Sequence, residues 1–147
     1  MRIYFLIASA VLIAAGAFLL KIPTASASDV TLYKTPGCMC CEGYADYLKA
    51  NGFAVTVKPT HELSKMSSDA GIPEDFQGCH LAFIEGYAVS GHVPRDTVKR
   101  LLSERPDIKG ITLPGMPNGS PGMGGSKAEP FTIYEIGGTE PKVYAVE

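Results

Sequence analysis

Thr35-Pro36-Gly37-Cys38-Met39-Cys40-Cys41 sets the architecture of this chain. It holds three of the chain's four cysteines within four consecutive positions. Cys38 and Cys41 form a C-x-x-C pair; Cys38 and Cys40 form a C-x-C pair, with Cys41 one step beyond. An alternating apolar segment, Asp29 to Lys34, precedes the run. Glu42 to Ala50, behind it, has helical spacing. A strand, a cysteine-bearing turn and a helix therefore follow one another. A helix N-terminus favours anionic sulfur through its free N–H groups and its dipole. The turn thus places thiols where the thiolate, the reactive and metal-binding form, is least costly to make.

Outward from this run, the chain punctuates itself clearly. Val30 to Lys34 alternates as a first strand, broken by Pro36-Gly37. The first helix is predicted from about Cys41 to Ala50, with Tyr44, Tyr47 and Leu48 inward and Asn51-Gly52 as its stop. Phe53 to Lys58 reads as a second strand. Thr60 caps a second helix that turns Leu63, Met66 and Ala70 inward and ends at Gly71. An irregular connector, Ile72 to Gly78, delivers Cys79-His80. Leu81 to Ile84 and Tyr87 to Ser90 are short strands around Glu85-Gly86, with Tyr87 and the other aromatics read as core. Pro94 opens a third helix with Val98, Leu101 and Leu102 inward, which stops before Pro106.

Residues 111–125 differ in kind. Pro114-Gly115-Met116 recurs as Pro121-Gly122-Met123, and this density of proline and glycine predicts a long loop, a feature that in a compact domain is usually functional or disordered. Phe131 to Ile136 and Lys142 to Val146 predict a closing hairpin around Gly137-Gly138. The order β-α-β-α-β-β-α is that of a thioredoxin-like α/β fold with a mixed sheet. In that topology the loop before the third strand runs beside the cysteine turn, so Cys79 is expected to join the other three cysteines.

The chain has 147 residues. Its first 27 read as a signal peptide: Arg2 as a short positive region, an apolar run from Ile3 to Leu20, and the small-x-small site Ala25-Ser26-Ala27. The apolar run just reaches membrane-spanning length, which leaves an uncleaved anchor as the alternative and the only membrane contact expected. Residues 28–147 form one domain, placed outside the cytoplasm. Loss of the leader removes Arg2 and Lys21 and moves the formal charge from −2 to −4. An acidic domain is a poor partner for nucleic acid, which needs a basic face. There is no tryptophan, so core volume falls to tyrosine, phenylalanine and aliphatic residues.

Exported cysteines usually pair, and two disulfides fit the count. Adjacent Cys40 and Cys41, however, close almost no loop and make poor staples. Clustered thiolates suit a soft metal better, copper(I) above all, with zinc the lesser alternative. A third reading is a thiol–disulfide pair, Cys38 attacking and Cys41 resolving. His80 beside Cys79, and His92 in the turn leaving the hairpin, are candidate imidazole ligands suited to either copper oxidation state. Met116 and Met123 are candidate thioethers on a rigid loop, against the usual role of methionine in filling gaps. Met39 either faces solvent or adds a further thioether. His61 reads as solvated.

Cys-x-Cys-Cys after a first strand, Gly-Cys-His, Gly-Tyr-x-x-x-Gly-His-Val-Pro and Pro-Gly-Met-Pro-x-Gly-Ser-Pro-Gly-Met together resemble the CopG-like periplasmic copper-resistance family. (The DNA-binding repressor of the same name is unrelated.) The resemblance runs from Val30 to about Met123 and leaves the tail from Lys127 outside it. It implies a thioredoxin-like fold, a periplasmic location and a sulfur-bridged multinuclear Cu(I) cluster held by Cys38, Cys40, Cys41 and Cys79, with His80 and His92 close by. It also implies a part in copper tolerance, with Cu(I)/Cu(II) interconversion as a proposed activity and other periplasmic copper-handling proteins as partners. This chain departs from the family at Met39, where a small residue usually stands, and in lacking an early tryptophan in the first helix. The expectation is an exported copper-binding protein, with a periplasmic oxidoreductase using Cys38 and Cys41 as the alternative.

Overall fold

The computed structural model describes residues 27–147; apart from Ala27, the expected leader lies outside them. Seven strands form one sheet: β1 (Asp29–Lys34), β2 (Ala54–Pro59), β3 (His80–Ile84), β4 (Tyr87–Ser90), β5 (Gly110–Thr112), β6 (Thr132–Ile136) and β7 (Val143–Val146), in spatial order β2-β1-β3-β4-β5-β6-β7. Among the described residues three helices accompany it: α1 (Met39–Ala50), α2 (Leu63–Asp69) and α3 (Arg95–Glu104), with a 3-10 turn at Glu74–Phe76. The order through α3 is the expected β-α-β-α-β-β-α. β1 pairs parallel with β2 and antiparallel with β3, and β4 pairs parallel with β5. No helix among the described residues is long and apolar enough to cross a membrane.

The two faces of the sheet follow from strand periodicity. Val30 and Leu32 of β1, Ala82 and Ile84 of β3, and Val89, Ile111 and Ile133 join Tyr44 and Leu48 of α1 and Val98 and Leu101 of α3 in the larger core. Leu81, Ala88 and Ile136 belong to a smaller core with Leu63 of α2 and Ile72. Helices α1 and α3 therefore cover one face and α2 the other. The chain turns at the expected places: Gly71 takes a left-handed conformation after α2, and Arg105 does the same after α3.

Three expectations change, the first being the cap of α2, which is Glu62 with no side-chain bond to the helix rather than Thr60. The stretch read as loop from Ile111 begins instead with a buried strand, because Gly110, Ile111 and Thr112 are enclosed between β4 and β6. Three residues are too few to show a period. Helix α1 starts at Met39, two residues before the predicted start, since Cys38 takes the extended N-cap conformation. The C-terminal hairpin forms as expected, β6 against β7.

Gly91 fixes the corner between β4 and α3. Its φ is +72°, and an added Cβ would collide with the carbonyl oxygen of Leu113. Gly91→Ala is expected to destabilise the fold by about 3 kcal/mol, a left-handed alanine plus a backbone shift. Val146→Ala, at a 61 % exposed edge position, should stay within about 0.5 kcal/mol. Urea denaturation midpoints check both, and an unchanged midpoint for Gly91→Ala contradicts the assigned role of this corner.

Candidate metal centre

The turn after β1 and the residue before β3 meet because β1 and β3 are antiparallel neighbours, with Lys34 opposite His80. Cys38 is the N-cap of α1, Cys40 and Cys41 lie in its first turn, and Cys79 immediately precedes β3. All four sulfurs fall within 4.8 Å of one another. Cys79 Sγ is 3.2 Å from Cys41 Sγ and 3.6 Å from Cys40 Sγ, and Cys40 Sγ is 3.4 Å from Cys38 Sγ. In this structure Cys38 and Cys41 share a disulfide, while Cys40 and Cys79 are free and half-buried. The N-cap makes no side-chain hydrogen bond to the helix, so no capping side chain competes for the first N–H groups of α1.

A second grouping shares Cys79. The ligand atoms of Cys79, His80 and His92 also lie within 4.8 Å of one another, and both histidines are fully buried. His92 Nδ1 lies 2.6 Å from the carbonyl oxygen of Pro121. A carbonyl only accepts, so Nδ1 carries the proton and donates. The lone pair is left on Nε2, which lies 3.7 Å from Cys79 Sγ. A backbone carbonyl fixing the far nitrogen of an imidazole is the usual support of a metal-bound histidine. The His80 ring stacks on Tyr44 at 4.6 Å and meets His92 edge-on at 5.0 Å. His80 Nδ1 is 3.9 Å from Cys79 Sγ, and its Nε2 is buried with no hydrogen-bond partner. The Tyr44 hydroxyl donates to the Val93 carbonyl at 2.9 Å, which holds this aromatic floor in place.

Burial, with His92 beside it, pushes the His80 imidazole down to about 3, and burial lowers His92 as well. Both are therefore neutral at physiological pH, the form that ligates metals. Burial, followed by the neighbouring Cys40, pushes the Cys79 thiol up to about 12. Cys79 sits before a strand, away from the helix N-terminus, and is partly desolvated. Without a metal Cys79 keeps its proton.

The donors suit a soft or borderline cation: four sulfurs, neutral imidazoles, and a buried His80 nitrogen with its hydrogen-bonding capacity unused. Cys38, Cys40, Cys41, Cys79, His80 and His92 are brought together as the sequence predicted. Met116 is 38 % exposed and Met123 half-buried. Their loop meets the site through the neighbouring backbone instead. Pro121 orients His92, and Gly122 presses on Gly43 and Tyr44 so closely that a Cβ at Gly122 would strike the Tyr44 nitrogen. Met39 points to solvent, 78 % exposed. His61 is exposed and lines a cavity of about 310 Å³ with Thr35, Gln77, Gly78 and Cys79. A larger cavity of about 670 Å³ is lined by Ser28, Phe53, Glu85 and Leu102, with no cysteine or histidine in its walls.

Lys34, Tyr44 and Pro121 serve the site, where the sequence marks them only as a strand end, a buried helix position and a loop proline. Lys34 was legible in principle: Val30, Leu32 and Lys34 share the buried phase of β1. The Pro121 contact runs through a backbone carbonyl and leaves no signature in side-chain pattern.

Two solved structures resemble the chain closely. A structure of the copper resistance protein CopG, form 2, superposes with a TM-score of 0.75 at 32 % identity, covering 82 % of this chain and 98 % of that one. Form 1 superposes at 0.73 and 33 % identity, covering 81 % and 96 %. The chain belongs to the CopG copper-resistance family. A family model described as a protein of unknown function, DUF411, matches residues 76–123, the segment that carries Cys79, His80, His92 and the Pro-Gly-Met loop of this CopG-family chain. No match was found among curated protein sequences.

The buried imidazoles set a pH dependence. An unfolded histidine takes up a proton near 6.5, but folded His80 does so only near 3. Between those values the unfolded state binds more protons, so metal-free stability falls as pH drops through the window. His80→Gln is expected to flatten that slope. Thermal midpoints of metal-free protein between pH 7 and pH 4 check it, and an unchanged slope contradicts a buried, neutral His80.

Proposed function

We propose that this chain is an exported copper-binding protein that holds Cu(I) on Cys38, Cys40, Cys41 and Cys79, as a sulfur-bridged multinuclear cluster serving copper tolerance. The observation that carries this reading is the convergence of four sulfurs within 4.8 Å from segments some forty residues apart in sequence. Sulfurs at this spacing can each bridge more than one soft ion. The printed name of the two CopG structures, copper resistance protein, supports the choice of metal. His80 and His92 extend the donor set towards Cu(II), which favours imidazole, and this supports a role in interconverting the two oxidation states. Met116 and Met123 are proposed as thioethers presented to arriving copper. The leader directs the domain to the periplasm.

The Cys38–Cys41 disulfide sets a condition on uptake. Two of the four sulfurs become thiolate ligands only after the bond has taken up two electrons. Metal binding must also release protons, from Cys79 in particular, and so weakens as pH falls. Reduced protein titrated anaerobically with Cu(I) against a chromogenic chelator is expected to bind more than one copper per chain. The disulfide form should bind markedly less, as should Cys38→Ser/Cys40→Ser. Less than one copper per reduced chain, or binding unchanged in the double variant, contradicts the proposal.

The same disulfide favours a second reading, a thiol–disulfide oxidoreductase in which Cys38 and Cys41 suffice. Disulfide-reductase activity that persists in both Cys40→Ser and Cys79→Ser would favour this reading over copper. Activity absent from the wild-type chain would remove it.

A further inference from the structure

The buried stripe of β1 ends on a charge. Val30 and Leu32 point into the core beneath α1, and Lys34 continues their phase, with its side chain only 5 % exposed. It stands opposite His80 in the β1–β3 ladder, so the two side chains are neighbours on the same face. A lysine so deep in a fold is rare and needs partners. Lys34 Nζ has two. It donates to the carbonyl oxygen of Cys38 at 3.3 Å and lies 2.9 Å from Glu42 Oε1. Cys38 is the N-cap of α1 and Glu42 closes its first turn, so one ammonium grips both ends of the segment that carries three of the four cysteines.

The two members of this ion pair differ in surroundings. Glu42 is 47 % exposed, and water screens its charge. The ammonium is enclosed, on the side of the turn that faces the sheet, and its field is far less screened. The cluster beside it needs positive charge. Four thiolates carry four negative charges and each Cu(I) returns one positive charge, so any cluster with fewer than four coppers is an anion.

Building on the Cu(I)-thiolate reading, we propose that Lys34 is the positioning and charge-compensating residue of the site. It holds the cysteine turn through Cys38 and supplies the fixed cation that stabilises the partly loaded, anionic copper–thiolate cluster. Because the metal-free thiols are protonated and Cu(I) displaces their protons, the ammonium favours uptake by stabilising the thiolates that form, most of all at the first copper, when few coppers offset their charge.

The test uses the reduced full-length chain at fixed pH, in anaerobic Cu(I) competition against a chromogenic chelator, with Lys34→Met, Lys34→Arg and Glu42→Gln beside wild type. Lys34→Met should weaken the first copper by about tenfold or more. Lys34→Arg should stay within about threefold of wild type, because it keeps the charge. Glu42→Gln should bind as tightly as wild type or tighter, since it frees the ammonium from its counter-ion. A purely structural clamp predicts a different pattern: Lys34→Met and Glu42→Gln would weaken binding alike, and that outcome overturns the proposal. Equal binding by Lys34→Met and wild type overturns it too. If Lys34→Met does not fold, the opposed expectations for Glu42→Gln under charge and under clamp still decide. Wild-type protein that takes up no Cu(I) defeats the copper reading itself, an outcome distinct from wild-type binding that Lys34 does not influence.

Discussion

The antiparallel pairing of β1 with β3 is the constraint on which the site depends. It sets Lys34 opposite His80, so the turn leaving one strand and the residue entering the other are neighbours. Cys38, Cys40 and Cys41 come from the first and Cys79 from the second. Nothing local to either segment would bring their sulfurs together. The ladder does so with strand-pair precision, and the core of Leu32, Tyr44, Leu48, Ala82 and Ile84 holds it in register. A site built at the ends of paired strands is preorganised in a way a free loop cannot match.

Around that junction the chain assembles three kinds of support. Tyr44 provides a floor on which His80 stacks, tied down by its bond to Val93. The Pro-Gly-Met loop packs against α1 at Gly43 and Tyr44 and fixes the tautomer of His92 through Pro121. Close contact between Gly43 and Gly122 lets the two backbones meet, with a Cβ at Gly43 only 3.0 Å from the Gly122 oxygen. Lys34 closes the arrangement from the sheet side. The disulfide between Cys38 and Cys41 then divides the site into two chemical conditions. In one, four sulfurs are available to metal; in the other, only Cys40 and Cys79 are free.

Much of this was legible in the sequence, because the signals were local and strong. Period-two alternation in Val30 to Lys34 and glycine or proline at each stop gave the element order. The order then implied that Cys79 would cross to the trio. Three features escaped for physical reasons. β5 is three buried residues, too short for a pattern. Cysteine spacing alone cannot say which sulfurs bond, since Cys38 has both Cys40 and Cys41 within reach. The orientation of His92 is set by a carbonyl, and every residue has one. Lys34 could have been read, because its parity puts it inside. It passed as the polar end of an alternating strand because surface lysines are so common.

Copper ligation by the sulfurs of all four cysteines is the chemistry on which this site turns. X-ray absorption at the copper edge, on reduced and copper-loaded protein, tests it most directly. A first shell dominated by sulfur with a short copper–copper vector is the predicted result, with the sulfur count lowered and the copper–copper vector lost in Cys79→Ser. A shell of nitrogen or oxygen, or a sulfur shell indifferent to Cys79, would contradict it.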